Sequence, residues 1–424
     1  MSTTSEVAIP AKRPVEPPSN VPGRYKRLSL FHLAGVCVAL GLAGFNAWWY
    51  WRENRPRPDL GTISRLMSHE QYADAEPALR DYLRRSPYDG EARMMLARLH
   101  AGRGDLLSCA RELHEVPYWW PQKWEALYRE GQSYLLVDRA RDAERTWLDV
   151  IKDDPLHPVP AEIFHDTCQE LLKLYAIQDR WEDAYPVIWS GYYRAARSEK
   201  LNWLIMRMRA ELERIAPKES IPQLKRYVAA MPDDWESLRA LAHAELALGE
   251  RAMAEHHYQT CIKGKPDDVR AWRDYLAVLL EAGDMERFLE LLRRPPPLAD
   301  SEPETWFFRG VAAEKASDWK TAAAHFTEAI KLNPFLAKGY YRLAVAEERL
   351  GLRDQASKHR KRSKEINEAR GQFLTAYSGY LTGLDSAGAS ASIQTAAARR
   401  IAKICETLGW LRAAAAWNRL AISS

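Results

Sequence analysis

The sequence predicts an all-α chain in which one membrane-spanning helix precedes a superhelix of stacked helix hairpins, an α-solenoid. Three observations predict it. Residues 28–51 contain no Asp, Glu, Lys or Arg. Downstream of them the residue pattern recurs every 34 positions. Within a repeat, large residues (Trp306, Phe326) face small ones (Gly310, Ala322, Ala329) at helical spacing, and Pro334 closes the unit.

The first 27 residues carry Pro10, Pro14, Pro17, Pro18 and Pro22 among Ser, Thr, Glu and Lys. Such a composition buries too little apolar surface to offset the entropy of ordering, so a disordered tail is expected over 1–27. As a helix, residues 28–51 reach ~36 Å at ~1.5 Å per residue, enough for a hydrocarbon core of ~30 Å. Trp48, Trp49, Tyr50 and Trp51 crowd the exit, where amphipathic rings favour the headgroup level, and no small-x-small cleavage site ends the segment. A retained anchor is therefore expected. Lys12, Arg13, Arg24, Lys26 and Arg27 before it outnumber Arg52, Arg55 and Arg57 after it, which favours a cytoplasmic N terminus, with the body on the periplasmic side of a cell inner membrane. Gly35, Ala39, Ala43 and Ala47 form a small-residue stripe suited to pairing of two such helices in a homodimer.

MPDDWESLRALAHAELALG from Met231 and KPDDVRAWRDYLAVLLEAG from Lys265 set Pro232 and Pro266 34 residues apart. In that register, units begin at Leu201, Trp235, Val269, Pro303 and Ala337, and three more at Pro56, Gly90 and Trp124. A longer unit starts near His165 after an insertion around HPVPAEIF, and a divergent one near Gln394. Residues 56–368 thus form about nine repeats, and 369–424 C-terminal helices with a repeat-like cap. A single hairpin of this length cannot hide its apolar face, whereas a stack of them builds one continuous core.

The period and its fixed places resemble the tetratricopeptide repeat family, in which the eighth, twentieth and twenty-seventh places are small and the thirty-second is often proline. The unit from Pro303 supplies Gly310, Ala322, Ala329 and Pro334; that from Trp124 supplies Gly131, Ala143 and Pro155; that from Trp235 supplies Ala242, Ala254, Cys261 and Pro266. The unit from Val269 departs, with Leu276 and Phe288 at small places and RRPPP at its end, so a shortened second helix is expected. An anchor ahead of such repeats also resembles bacterial envelope proteins, including planctomycete-type ones, which share no single defined activity.

Charge and motifs narrow the function. The 61 Lys and Arg are interleaved with 57 Asp and Glu, a net charge of +4, so general nucleic-acid binding is not expected. The five cysteines contain no CxxC pair, and no HExxH, GxSxG, Walker-type GxxxxGK or strand-borne GxGxxG occurs, so no catalytic residue, metal site or cofactor is expected. His165 and Cys168 read as packing, Cys109 and Cys261 as core, and His256 and His257 as solvated. PYWWP (117–121) reads as a cap on the next helix pair, and KHRKRSK (358–364) as a solvated helix surface held by the apolar spacing of ARGQFLTAYSGYLTGL, with DSAGASAS a loop before the last hairpin.

The resemblance implies that the first helix of each hairpin lines a concave groove through its second, fifth, ninth and twelfth places. The groove residues then include Arg98, Tyr128, Gln132, Lys173, Arg209, Arg239, His243, Arg273, Phe307 and Tyr341. A cationic first stretch and a more apolar later one suit an acidic or amphipathic peptide or helix of another protein. The chaperone-tail clamp of the family needs asparagines that are missing here, Asn202 excepted. The expected function is a membrane-anchored, non-enzymatic interaction scaffold in a bacterial envelope. The alternative is a cytosol-facing receptor that captures proteins for import or targeting.

Overall fold

The structure, a computed structural model, describes residues 30–54, 59–152, 157–385 and 391–423. It divides into two units, residues 1–59 and 60–424. The first holds one helix, α1 (Leu30–Asn54); the tail expected at 1–27 lies outside the described residues. The described side chains of α1, 38–50, are all exposed, among them Val38, Leu40, Leu42, Phe45 and Trp48. Among the described residues no helix is long and apolar enough to cross a membrane, and the span expected over 28–51 falls in part outside them. The spanning expectation is thus not met within the described residues.

The second unit is a run of helix pairs: α2 (Leu60–Ser68) with α3 (Tyr72–Arg85), α4 (Gly90–Gly102) with α5 (Leu106–His114), α6 (Lys123–Leu136) with α7 (Ala140–Ile151) and α8 (Ala161–Ile177) with α9 (Trp181–Arg194). There follow α10 (Lys200–Leu212) with α11 (Pro217–Ala230), α12 (Trp235–Ala247) with α13 (Arg251–Gly264), α14 (Val269–Glu281) with α15 (Met285–Leu292) and α16 (Pro303–Lys315) with α17 (Trp319–Leu332). The run ends with α18 (Ala337–Arg349) and α19 (Arg353–Asp385), then α20 (Ala391–Thr407) and α21 (Leu411–Ser423). No strand occurs among the described residues. Helix starts at Gly90, Lys123, Lys200, Trp235, Val269, Pro303 and Ala337 coincide with the 34-residue register to within one residue.

Each pair is shaped by local chemistry. Asp89, Asp234 and Asp268 cap first helices, accepting hydrogen bonds from Ala92 N, Ser237 N and Ala271 N. The turn between partners passes through a left-handed residue: Gly104, Gly249, Gly283 and Gly351 at φ 77–81° or near it (73° at Gly283), with Ser317 at 61° and Asp138 at 59° taking the same place in their units. Aromatic rings fill the space left by glycine. Trp147 lies on Gly131, Phe326 on Gly310, Trp203 on Gly191 and Trp235 on Gly264. At each of these glycines an added Cβ would come closer than 3.0 Å to the ring.

The Val269 unit has the short second helix its sequence suggests, with α15 only eight residues long. Its Leu276 and Phe288 are fully buried, and Phe288 meets Phe308 edge-on at 5.9 Å between centroids. In PYWWP, Trp120 packs against Gly90 and the half-exposed Tyr118 stands edge-on to Trp124 of α6 at 5.5 Å, while Trp119 is exposed.

The C terminus departs furthest from a simple stack. Helix α19 is 33 residues long where α3, α13 and α17 have 14. At ~1.5 Å per residue it reaches ~50 Å. Its later turns arrive at α10, four units back, where Tyr377 Oη donates to Ile205 O at 3.3 Å. Arg207, only 5% exposed, is stacked at 3.9 Å on Tyr185 and at 5.2 Å on Trp410, and pairs with Glu211 at 2.8 Å. One apolar core therefore runs through α7–α12 and the C-terminal helices, with Phe373, Tyr380, Ile401 and Trp417 buried in it. The solenoid is closed by its own C-terminal bundle.

Candidate functional site

A cleft of about 640 Å³ opens between α8, α9, α10 and α11. Its walls are Leu172, Ala176, Trp181, Ile188, Met206 and Ile215, and its rim carries Lys173, Arg209, Glu213 and Arg214. Two expected groove residues, Lys173 and Arg209, meet here. The successive first helices α8 and α10 contribute the small Ala176 and Ala210 to its lining, and α9 contributes Trp181. Trp181 is fixed by its indole N–H, which donates to Asp179 Oδ1 at 2.5 Å, and by the Arg214 guanidinium 4.5 Å over its ring. Lys173 pairs with Glu170 at 2.9 Å and Arg209 with Glu213 at 2.9 Å; all four groups lie near the solvent, where such pairs are weak and exchange readily with a partner's charges.

The other expected groove residues are dispersed. Arg98 is exposed in a separate cleft of about 480 Å³ with Leu60, Met67 and Met95. Tyr128 and Gln132 are half-buried and satisfy each other, Gln132 Nε2 donating to Tyr128 Oη at 2.9 Å. Phe307 is buried under Lys338, whose ammonium lies 4.7 Å from its ring, and Tyr341 is exposed beside Lys338 and Arg370.

Arg239, His243 and Arg273 meet carboxylates that sequence spacing did not place near them. Arg239 is 6% exposed and bonds Asp274 at 2.9 Å. Arg273 reaches Asp274 at 3.3 Å and Glu182 at 3.4 Å, and His243 Nδ1 lies 2.7 Å from Asp179. That hydrogen bond, outweighing burial, raises the His243 pKa, and Asp179 is lowered in turn by its bond with His243 in spite of its own burial. Asp183 is at the centre. Burial alone would raise its pKa, but hydrogen bonds from Arg270 at 2.6 Å and Arg180 at 2.7 Å, with both positive charges, hold it at about 2. Arg180, 8% exposed on its side chain, also pairs with Glu144 at 2.6 Å. The expected cationic stretch is thus neutralised along α12 and α14, is paired with local carboxylates at Lys173 and Arg209, and meets no carboxylate within 4.0 Å at Arg98 among the described residues.

The histidine and cysteine readings divide. Cys109, Cys168, Cys261 and Cys405 are buried free thiols. Burial pushes Cys168, Cys261 and Cys405 up to about 12, which keeps them protonated and unreactive. His165 bonds Gln169 at 2.7 Å and stands edge-on to Trp203. His257 is not simply solvated: its Nδ1 lies 2.7 Å from Glu245, whose side chain is fully buried. The pair recurs 102 residues later as His359 and Glu347, at 2.8 Å. No group of three or more metal-ligating side chains occurs among the described residues.

A family profile for the tetratricopeptide repeat matches residues 61–108 and 239–303. Those segments run from α2 to the start of α5 and from within α12 to the start of α16. No curated protein matches this chain in sequence. Among solved structures, MamA from Desulfovibrio magneticus RS-1 is similar at 21% identity, over 41% of this chain and 97% of that one, with a TM-score of 0.32. The Cut9–Hcn1 hetero-tetramer of the APC/C is similar at 14% identity, over 85% of this chain and 88% of that one, with a TM-score of 0.35.

Proposed function

We propose that this protein is an interaction scaffold that holds a segment of another protein in the cleft between α8 and α11. The observation that carries the reading is that cleft itself: apolar walls rimmed by Lys173, Arg209 and Arg214, set between the first helices α8 and α10 and their partners α9 and α11. An amphipathic helix with acidic flanks fits it, its apolar side on Leu172 and Met206 and its carboxylates at the rim. Nothing in the reading calls for catalysis. Residues 28–51 serve as the membrane anchor, with the N terminus in the cytoplasm, the repeats in the periplasm and a bacterial envelope complex as the assembly served. Support for the anchor is the run of 24 residues without an ionisable carboxylate, lysine or arginine and the exposure of Val38, Leu40, Leu42 and Phe45.

Affinity capture with the full chain, repeated with Met206→Arg, tests the cleft. The variant loses the wild-type partner while the fold, followed by circular dichroism, persists; retention of that partner removes the cleft from the account. Proteolysis of intact and permeabilised spheroplasts tests the topology. Digestion of the repeats before the inner membrane is breached agrees with a periplasmic body, and protection until breach assigns it to the cytosol.

A further inference from the structure

The hairpin of α19 and α20 carries a concentration of positive charge that the cleft reading does not use. Residues 353–407 hold 10 Lys and Arg against five Asp and Glu, so the rest of the chain holds 51 against 52. More than the whole net charge sits on this one element. Many cations of the chain meet carboxylates, as at Arg180, Arg239 and Arg270, and within this hairpin Arg362 pairs with Glu365 and Lys364 with Glu368. Here Lys358, Lys361, Arg399, Arg400 and Lys403 are exposed and, among the described residues, have no carboxylate within 4.0 Å.

Helix geometry sets these side chains in two groups, Lys358 and Lys361 in the early turns of α19 and Arg399, Arg400 and Lys403 on α20. Lys358, Lys361, Glu365, Glu368 and Gln372 fall along one flank of α19 at three- and four-residue spacing. Against that flank lies α20, and between them is a cleft of about 420 Å³ lined by Arg362, Glu365, Glu368, Gln372, Arg400 and Lys403. The buried faces of the same helices, with Ile366, Phe373, Tyr377, Ile401 and Cys405, are locked in the core that closes the solenoid, so the basic flank is held outward on a rigid support.

We propose that this flank is a second docking surface, and that its occupant is an acidic segment of a partner protein. Charge complementarity selects the sign. Glu365 and Glu368 stand among the cations, so a planar anionic membrane would press negative charge onto both, whereas a polypeptide can set its carboxylates on Arg400 and Lys403 and leave those two positions free. Single-stranded nucleic acid is bound through stacking as well as charge, and the aromatic side chains Phe373, Tyr377 and Tyr380 of α19 are all buried.

The test is anisotropy of a fluorescein-labelled deca-glutamate peptide titrated with the full chain in detergent. Binding that weakens as salt is raised, and that falls by about tenfold or more in Arg400→Glu/Lys403→Glu, is the expected result. Lys358→Glu/Lys361→Glu, on the facing helix, gives a similar loss. Lys225→Glu/Lys263→Glu changes net charge equally at exposed positions on α11 and α13 and leaves binding intact. The proposal is overturned if all three variants weaken binding alike, if none does, or if oligouridine or phosphatidylglycerol vesicles bind more tightly and displace the peptide.

Discussion

Replacing Gly131 by Ala tests the packing rule on which the solenoid depends. In α6 this glycine faces Trp147 of α7, a side chain with 0% exposure whose indole N–H donates to Tyr128 O at 3.1 Å. A Cβ at 131 would come closer than 3.0 Å to the ring. The ring has no empty space to move into, so it is displaced together with its hydrogen bond, or the two helices part. Overpacking a filled core costs ~1–3 kcal/mol, and a weakened buried hydrogen bond adds ~1. Alanine in place of glycine within a helix returns ~1 kcal/mol. The net is a destabilisation of ~1–3 kcal/mol, confined at first to the α6–α7 pair. Amide hydrogen exchange reads it locally: protected amides of α6 and α7 exchange roughly 5- to 150-fold faster, while those of α16 and α17 keep their rate. Trp147→Phe is itself destabilising but removes part of the obstruction, so in the double variant the alanine costs less than it does alone. Exchange at the wild-type rate in Gly131→Ala would show that the glycine is not there for the ring and would refute the reasoning.

Ser317 occupies, at φ 61°, the turn position that glycine takes in three neighbouring units, so Ser317→Gly raises the thermal midpoint, with a gain of up to ~1 kcal/mol in stability; a lower midpoint contradicts the turn assignment. Trp410→Ala removes one of the two rings on buried Arg207 and loosens the closure at α10, costing ~3–5 kcal/mol and giving a larger radius of gyration by solution scattering; an unchanged radius shows that α19–α21 hold without it. Asp183 has a folded pKa of about 2, below its ordinary value near ~4, so its ion pairs stabilise fully above pH ~4, and that contribution is lost as pH falls towards 2; Asp183→Asn is less stable at neutral pH and loses this part of the acid transition, seen by fluorescence. His243 is shifted the opposite way by Asp179, so its contribution is complete below pH ~6.5 and disappears as pH rises through the elevated folded value; the histidine ring signals in NMR titrate above those of an unfolded control, and an ordinary midpoint refutes the pairing.

Much of the fold was legible because a 34-residue period fixes both where helices begin and which faces touch. Gly131, Gly310, Phe326 and Ala322 announce their own packing, since a small place and an aromatic place recur in step. The proline-rich close of the Val269 unit likewise shows in the eight-residue α15. What escaped was everything that ignores the period. Asp179 in the turn after α8 and Glu182 and Asp183 in the first turn of α9, in the one unit lengthened by an insertion, reach α12 and α14 across separations such as the 87 residues between Asp183 and Arg270. The return of α19 to α10 spans 172 residues between Tyr377 and Ile205, and only the unusual length of that helix hinted at it. The Glu245–His257 pair had a signal that went unused: it recurs in register at Glu347 and His359, three periods on. The groove suffered most from these omissions. Charge was assigned from its basic places alone, and carboxylates of neighbouring elements neutralise them: Asp274 of α14 at Arg239, Asp179 of the α8–α9 turn at His243 and Glu182 of α9 at Arg273.

The claim that matters most is that the first-helix face at α8 and α10 is where a partner lies. Site-specific photo-crosslinking in cells measures this directly, with the crosslinking amino acid placed at Met206 inside the cleft and, separately, at exposed Lys225 on α11, which is not among the cleft's lining residues. The account predicts a discrete adduct from position 206, abolished by Arg209→Glu, and none of the same mass from position 225. An adduct from 225 with none from 206, or identical adducts from both, would contradict it.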